Sequence, residues 1–143
     1  MSTTFFNQLQ SVLNSANFVY TADLVALNGS GVSATAFLAV EGNTLTVATV
    51  ARGLTPDQLH IQHIHGRFDE EGNPIDSAAP TIFDDADRDG YVEVLEGIPA
   101  YGDVLLSLEN LNNGTHNEPF SNGAGELLTL NSYDLTDDDN FFS

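Results

Sequence analysis

Two alternating runs joined by a turn constrain this chain more than any other feature. Residues 32–40 place Val32, Ala34, Ala36, Leu38 and Val40 on one side of an extended segment. Residues 44–51 set Leu45 and Val47 against Thr44 and Thr46. Successive side chains of a strand point to opposite faces, so a period of two makes one apolar face. Glu41-Gly42-Asn43 between the runs is a hairpin connection, because Gly and Asn accept the positive φ of tight hairpins. Further extended runs are predicted at 18–27, 59–66, 103–109 and 126–133. Many short strands between turns rich in Gly, Asn and Pro predict a mainly β chain, folded as an antiparallel sandwich or barrel.

One segment has the helical period instead. Phe5, Phe6, Leu9, Val12 and Leu13 form an apolar stripe over 3–15, with Thr3 or Thr4 as the expected cap. Thr55-Pro56-Asp57-Gln58 has the spacing of a capping box, which predicts a short helical turn there. The 143 residues read as a single domain, 1–143, with a helix over 1–16, a long loop over Asn110–Gly125 and an acidic tail over 134–143. The helical stripe is expected to pack on its own domain. Self-association through that helix and through Phe141-Phe142 is the other reading, which leaves a homo-oligomer open.

Charge narrows the partners. There are 21 acidic side chains against Arg52, Arg67 and Arg88, with no lysine, for a net charge of −18. Nucleic acid is excluded as a partner, since phosphates are held by clustered Lys and Arg. An anionic membrane surface would repel the chain for the same reason. Self-repulsion also weakens a compact acidic chain unless cations offset it. There is no cysteine, which removes disulfides, thiolate metal sites and cysteine nucleophiles. The first residues lack the basic start and apolar middle of a secretory signal. No nucleophile elbow, phosphate loop or dinucleotide fingerprint is present, so the sequence leans away from an enzyme.

The strongest motif is Asp85-Ala86-Asp87-Arg88-Asp89-Gly90-Tyr91-Val92-Glu93-Val94-Leu95-Glu96. It fits the twelve-residue calcium loop of the EF-hand type at its diagnostic positions. Asp85, Asp87 and Asp89 take positions one, three and five, and Gly90 takes the sharp turn at six. Tyr91 offers a backbone carbonyl at seven, Glu93 a direct or water-mediated ligand at nine, and Glu96 a bidentate carboxylate at twelve. Calcium takes six to eight oxygens and suits this set, whereas magnesium keeps its waters and suits it less. The flanks are not those of a paired EF-hand. Pro74 and Pro80 leave no room for an entering helix, and Gly97 and Pro99 are expected to stop any helical turn after Glu96. A structural clip is therefore expected rather than a switch.

A second metal reading comes from Leu59-His60-Ile61-Gln62-His63-Ile64-His65-Gly66. On a strand, His63 and His65 share a face and His60 points away. Two imidazoles at that spacing can hold zinc or copper if a third donor joins them, and His60 or the distant His116 are the candidates. The plain alternative is a hydrogen-bonded pair without metal.

Several short runs carry a family resemblance: Leu27-Asn28-Gly29-Ser30-Gly31-Val32, Gly42-Asn43-Thr44-Leu45-Thr46-Val47, Gly53-Leu54-Thr55-Pro56 and, above all, Gln62-His63-Ile64-His65-Gly66. Over Thr21–Glu109 the chain resembles a chordin-type (CHRD) domain of the bacterial kind. The resemblance implies an all-β, Greek-key sandwich with no assigned catalytic activity, an extracellular or cell-surface location, and a protein or matrix partner. It also implies that the calcium loop is an insertion. That family is faintly similar to copper–zinc superoxide dismutases, which implies His63 and His65 in place of the copper pair and His116 in place of the distal copper histidine. The departures are large. Four histidines are too few for a dinuclear site, the dismutase disulfide is impossible, and no arginine follows Arg88. Dismutase activity is not expected, while a mononuclear site stays open.

Overall fold

A computed structural model describes residues 2–108 and 119–142. Helix α1 (Thr3–Ser15) is the helix the apolar stripe predicts, but its cap is Ser2, whose Oγ accepts from the Phe5 N–H at 3.5 Å. Thr3 and Thr4 lie one step too late and belong to the first turn. Strands β1 (Phe18–Val25), β2 (Ser33–Glu41) and β3 (Thr44–Arg52) follow as an antiparallel meander. Glu41 pairs with Thr44, so Gly42 and Asn43 form the two-residue turn expected between β2 and β3.

The chain then crosses to a second sheet made of β4 (His63–Phe68), β5 (Pro74–Ile75) and, after helix α2 (Val94–Tyr101), β6 (Asp103–Ser107). It returns as β7 (Leu127–Asp134), which lies antiparallel beside β3. The sheet orders are β1-β2-β3-β7 and β5-β4-β6. The molecule is thus a mainly β sandwich of two antiparallel sheets and not a closed barrel.

Strand β3 is buried along most of its length because both of its faces are covered. Toward the second sheet, Leu45, Val47, Leu106 and Tyr133 form one cluster, joined by Leu38, Val40, Ile64, Leu108 and Phe141. Toward α1, Phe5, Leu9 and Ala48 form another with Leu13, Phe37, Val50, Leu128 and Leu130. The result is three layers, helix on sheet on sheet. A polar tie crosses the inner layer, where the Asn131 Nδ2 donates to the Leu108 carbonyl at 2.9 Å.

Several expectations need correction. Residues 55–58 form no helical turn. Asp57 sits at φ 54° behind Pro56, a β-turn arrangement, and buried Ser121 holds the segment by donating to the Thr55 carbonyl at 2.6 Å. The predicted strand at 59–66 enters β4 only at His63. Its first residues pair elsewhere, Leu59 bridging Phe120 and the His60 N–H donating to the Pro119 carbonyl. The acidic tail also folds back: Phe141 bridges Leu106, and the Phe142 N–H donates to the Leu105 carbonyl. Phe5, Leu9 and Phe141 are therefore spent on the core, while Phe6 and Phe142 stay exposed.

Candidate metal centre

Between β5 and β6 the chain makes a long excursion, and the predicted calcium loop is its centre. Thr81 starts a 3₁₀ turn over Ile82–Asp84. Its Oγ1 accepts from the Phe83 N–H, and the Asp84 carboxylate accepts from the Thr81 N–H at 2.7 Å. No helix enters the loop, as the prolines required. Past the loop, α2 runs through Gly97 and Pro99 to Tyr101, longer than expected. Gly97 is required within the helix, because a Cβ there would collide with the Tyr101 ring. That ring folds back so that its hydroxyl donates to the Val94 carbonyl at 2.6 Å. Gly102 ends the helix at φ 85°, and its neighbour across the sheet, the Gly66 carbonyl, leaves no room for a Cβ.

Within the loop main-chain donors orient the carboxylates of Asp85, Asp87, Asp89 and Glu96. Asp85 Oδ1 accepts from the Arg88 N–H at 2.6 Å and its Oδ2 from the Gly90 N–H at 2.9 Å. Asp87 accepts from the Asp89 N–H and Asp89 from the Tyr91 N–H. Glu96 closes the ring, one oxygen receiving the Ala86 and Asp87 N–H groups and the other the Glu93 N–H at 3.1 Å. The turn needs left-handed backbone at Arg88 (φ 65°) and Gly90 (φ 96°). Only the second was readable from the motif, because Gly supplies such a φ freely and Arg does not.

The carboxylates converge. Ligand oxygens of Asp85, Asp87 and Asp89 lie within 4.8 Å of one another, as do those of Asp87, Glu93 and Glu96. Two oxygens on opposite sides of a calcium ion, each at about 2.3–2.6 Å, stand about 4.6–5.2 Å apart. The acidic group Asp85, Asp87 and Asp89 can therefore hold a metal ion, and Asp87 joins it to the second group. Crowding shows in the titration of the pair at the α2 start. Glu93 is pushed above its ordinary value, first by its hydrogen bond with the Glu96 carboxyl and then by burial and the Asp89 charge. Glu96 is held below its own by the hydrogen bond from Glu93 and by main-chain N–H donors.

The histidines are placed differently. A bulge falls between Ile64 and His65 in the β4–β6 pairing, yet the His63 and His65 rings meet edge to face at 5.8 Å between centroids. His65 Nδ1 lies 3.0 Å from the Gly102 carbonyl, so Nδ1 is the donor, and in the neutral tautomer the lone pair falls on Nε2. Its ring also packs against Tyr101 at 4.2 Å. His60 is engaged apart from them, with Nε2 3.1 Å from the Thr55 carbonyl. His116 and the first part of the predicted long loop over Asn110–Gly125 lie outside the described residues. Among the described residues no convergent group of three metal-ligating side chains includes a histidine.

Sequence reasoning missed the apolar rim of the loop. Phe83 is 94 % exposed and Leu95 79 %, with Ile82, Tyr91 and Val94 about half exposed beside them. Large apolar side chains left exposed around one loop are a recognisable surface signal, but only burial reveals them. Compared with protein-family models, with curated proteins and with solved structures, the chain matches none.

Proposed function

We propose that this chain is a calcium-binding, calcium-stabilised β-sandwich module of the chordin type, acting outside the cell or at its surface in a binding or structural role. The observation that carries the reading is the sharing of Asp87 between two converging carboxylate groups whose orientation is fixed by main-chain N–H donors. Asp85, Asp87, Asp89, Glu93 and Glu96 supply side-chain oxygens, and the Tyr91 carbonyl supplies the seventh-position ligand. An unpaired calcium loop with no entering helix suits a clip rather than a sensor. Its apolar rim suits docking to a protein or matrix partner.

The second reading is a mononuclear copper or zinc site on His63 and His65. It is favoured by the hydrogen bond that fixes the His65 tautomer, the device by which ligating imidazoles are oriented. Titration calorimetry on chelator-stripped protein separates the two. The expected result is one calcium per chain, lost in Asp87→Ala and kept in His63→Ala. Stoichiometric zinc or copper lost in His63→Ala, with no heat from calcium, would transfer the case to the histidines.

A further inference from the structure

We infer that the free edge of β1 is a self-recognition surface, through which two copies of this chain pair antiparallel into one continuous eight-stranded sheet. β1 pairs with β2 on one side, and among the described residues nothing pairs with its other side. All eight of its residues are exposed, including Phe18 at 60 %, Tyr20 at 61 % and Val25 at 82 %. Neither cluster of buried residues, with the side chains packed against it, reaches past β2, so β1 overhangs both neighbouring layers. Natural edges are protected by Pro, by Lys, by bulges or by shortness. β1 has no proline and no lysine, and its register with β2 is unbroken over its length.

Charge decides which occupant fits. Residues 1–40 contain one charged side chain, Asp23, although the whole chain carries −18. The Asp23 carboxylate is already engaged by the Thr35 hydroxyl at 3.0 Å. A second copy therefore meets this edge through its own near-neutral part. At physiological salt, charges beyond about 8 Å are largely screened.

The strand is also complementary to itself. A two-fold axis normal to the sheet must pass through a residue pair, since partners across a ladder share a face. Centred on Ala22, it sets Val19 against Val25 of the second copy, Tyr20 against Leu24, and Thr21 against Asp23. Apolar side chains then meet apolar ones, a hydroxyl meets a carboxylate, and no like charges oppose. Centring on Thr21 would instead set Val19 against Asp23. With aromatic side chains covering about 150–250 Å² each, the whole exposed area of Phe18, Val19, Tyr20, Leu24 and Val25 on two copies sums to roughly 1,000 Å², and edge-to-edge pairing buries only the part that faces the partner strand. The contact is therefore small for a specific interface, and a weak dimer held chiefly by ladder hydrogen bonds is expected, dissociating in the upper micromolar range.

The test uses the full chain in 0.15 M salt. Sedimentation should show a dimer that dissociates in the upper micromolar range. The double variant Val19→Lys with Val25→Lys sets lysine against lysine and should weaken it at least tenfold. Mixing that variant with Val19→Glu plus Val25→Glu should restore pairing. Because the chain has no cysteine, Ala22→Cys alone reports the register. Its Cα atoms would stand about 4.5–5.5 Å apart, within disulfide reach, so mild oxidation should cross-link it far faster than Thr21→Cys. A wild type that stays monomeric at 0.5 mM overturns the inference. So does a dimer indifferent to the lysines, or Ala22→Cys that links no faster than Thr21→Cys.

Discussion

Removing calcium should lower the melting temperature of this protein, and the size of the change follows from the site. The loop presents two convergent carboxylate groups that share Asp87, one with Asp85 and Asp89 and one with Glu93 and Glu96, and main-chain donors already orient Asp85 and Glu96. Calcium loops of this type span dissociation constants of about 10⁻⁹–10⁻³ M, set by ligand charge and rigidity. An affinity of roughly 10 μM is a mid-range value for a loop with this ligand charge but no partner loop. At 1 mM calcium the ion is then at about 100 times its dissociation constant and stabilises the folded state by about 2.7 kcal/mol. For a chain of this size each kcal/mol shifts the midpoint by about 2–4 °C, so the gain over a chelator control should be about 5–10 °C. Differential scanning calorimetry at fixed ionic strength measures it. Asp87→Ala removes the carboxylate common to both groups and should abolish the shift while leaving the metal-free midpoint within a degree or two. A wild type whose midpoint ignores millimolar calcium refutes the reasoning, as does an Asp87→Ala protein that keeps the full gain.

Two further outcomes are expected. Because its hydrogen bond with Glu96 raises Glu93 above its ordinary value, a cation bound there competes with a proton. Affinity is full where Glu93 is ionised and falls as pH drops through its raised value. Calorimetry in buffers of different ionisation enthalpy should detect proton release that grows as pH is lowered from neutrality toward that raised value. Gly102→Ala places a methyl group on the Gly66 carbonyl at φ 85°, which should cost at least about 2 kcal/mol in urea unfolding; an unchanged midpoint would show that the α2–β6 junction relaxes freely.

How much of this was legible depends on how local the cause is. The β2–β3 hairpin and α1 follow from periods of two and of 3.6 written into contiguous residues, and they form where predicted. The twelve-residue loop was legible for the same reason, since its ligands lie close in sequence. What failed depended on distant partners. Thr55–Gln58 matches a capping box, but Ser121, far along the chain, captures the Thr55 carbonyl instead. Gly97 and Pro99 were read as a stop because propensity counts against them, whereas the back-folded Tyr101 makes Gly97 a packing requirement. The exposed rim at Phe83 and Leu95 and the bare edge of β1 could not be read at all. Apolar residues in sequence imply burial until the surrounding layers are known to stop short.

The acidic loop belongs to a segment that has little else to hold it in place. From Asp76 to Tyr101 the only buried apolar residues are Pro80 and Gly97. Ordering each residue costs about 1–2 kcal/mol of backbone entropy, and excursions this long inside compact domains are uncommon unless they serve a function. Three polar ties close its neck: the Arg67 guanidinium to the Asp76 carbonyl, the Ser77 hydroxyl to the Tyr101 carbonyl, and the Ala78 N–H to the Ala100 carbonyl. Its interior is made of carboxylates, which repel one another and so do not replace a hydrophobic core. A bound divalent cation reverses the sign of that term. It turns the mutual repulsion of the grouped side chains into attraction to the ion. Helix α2 then carries the ordering to the sheet, with Glu93 and Glu96 at its start and Tyr101 and Gly102 against His65 at its end. Hydrogen exchange should therefore show calcium-dependent protection through 76–102 and into His65, with β3 unaffected. Protection confined to 85–96 would mean that α2 transmits nothing.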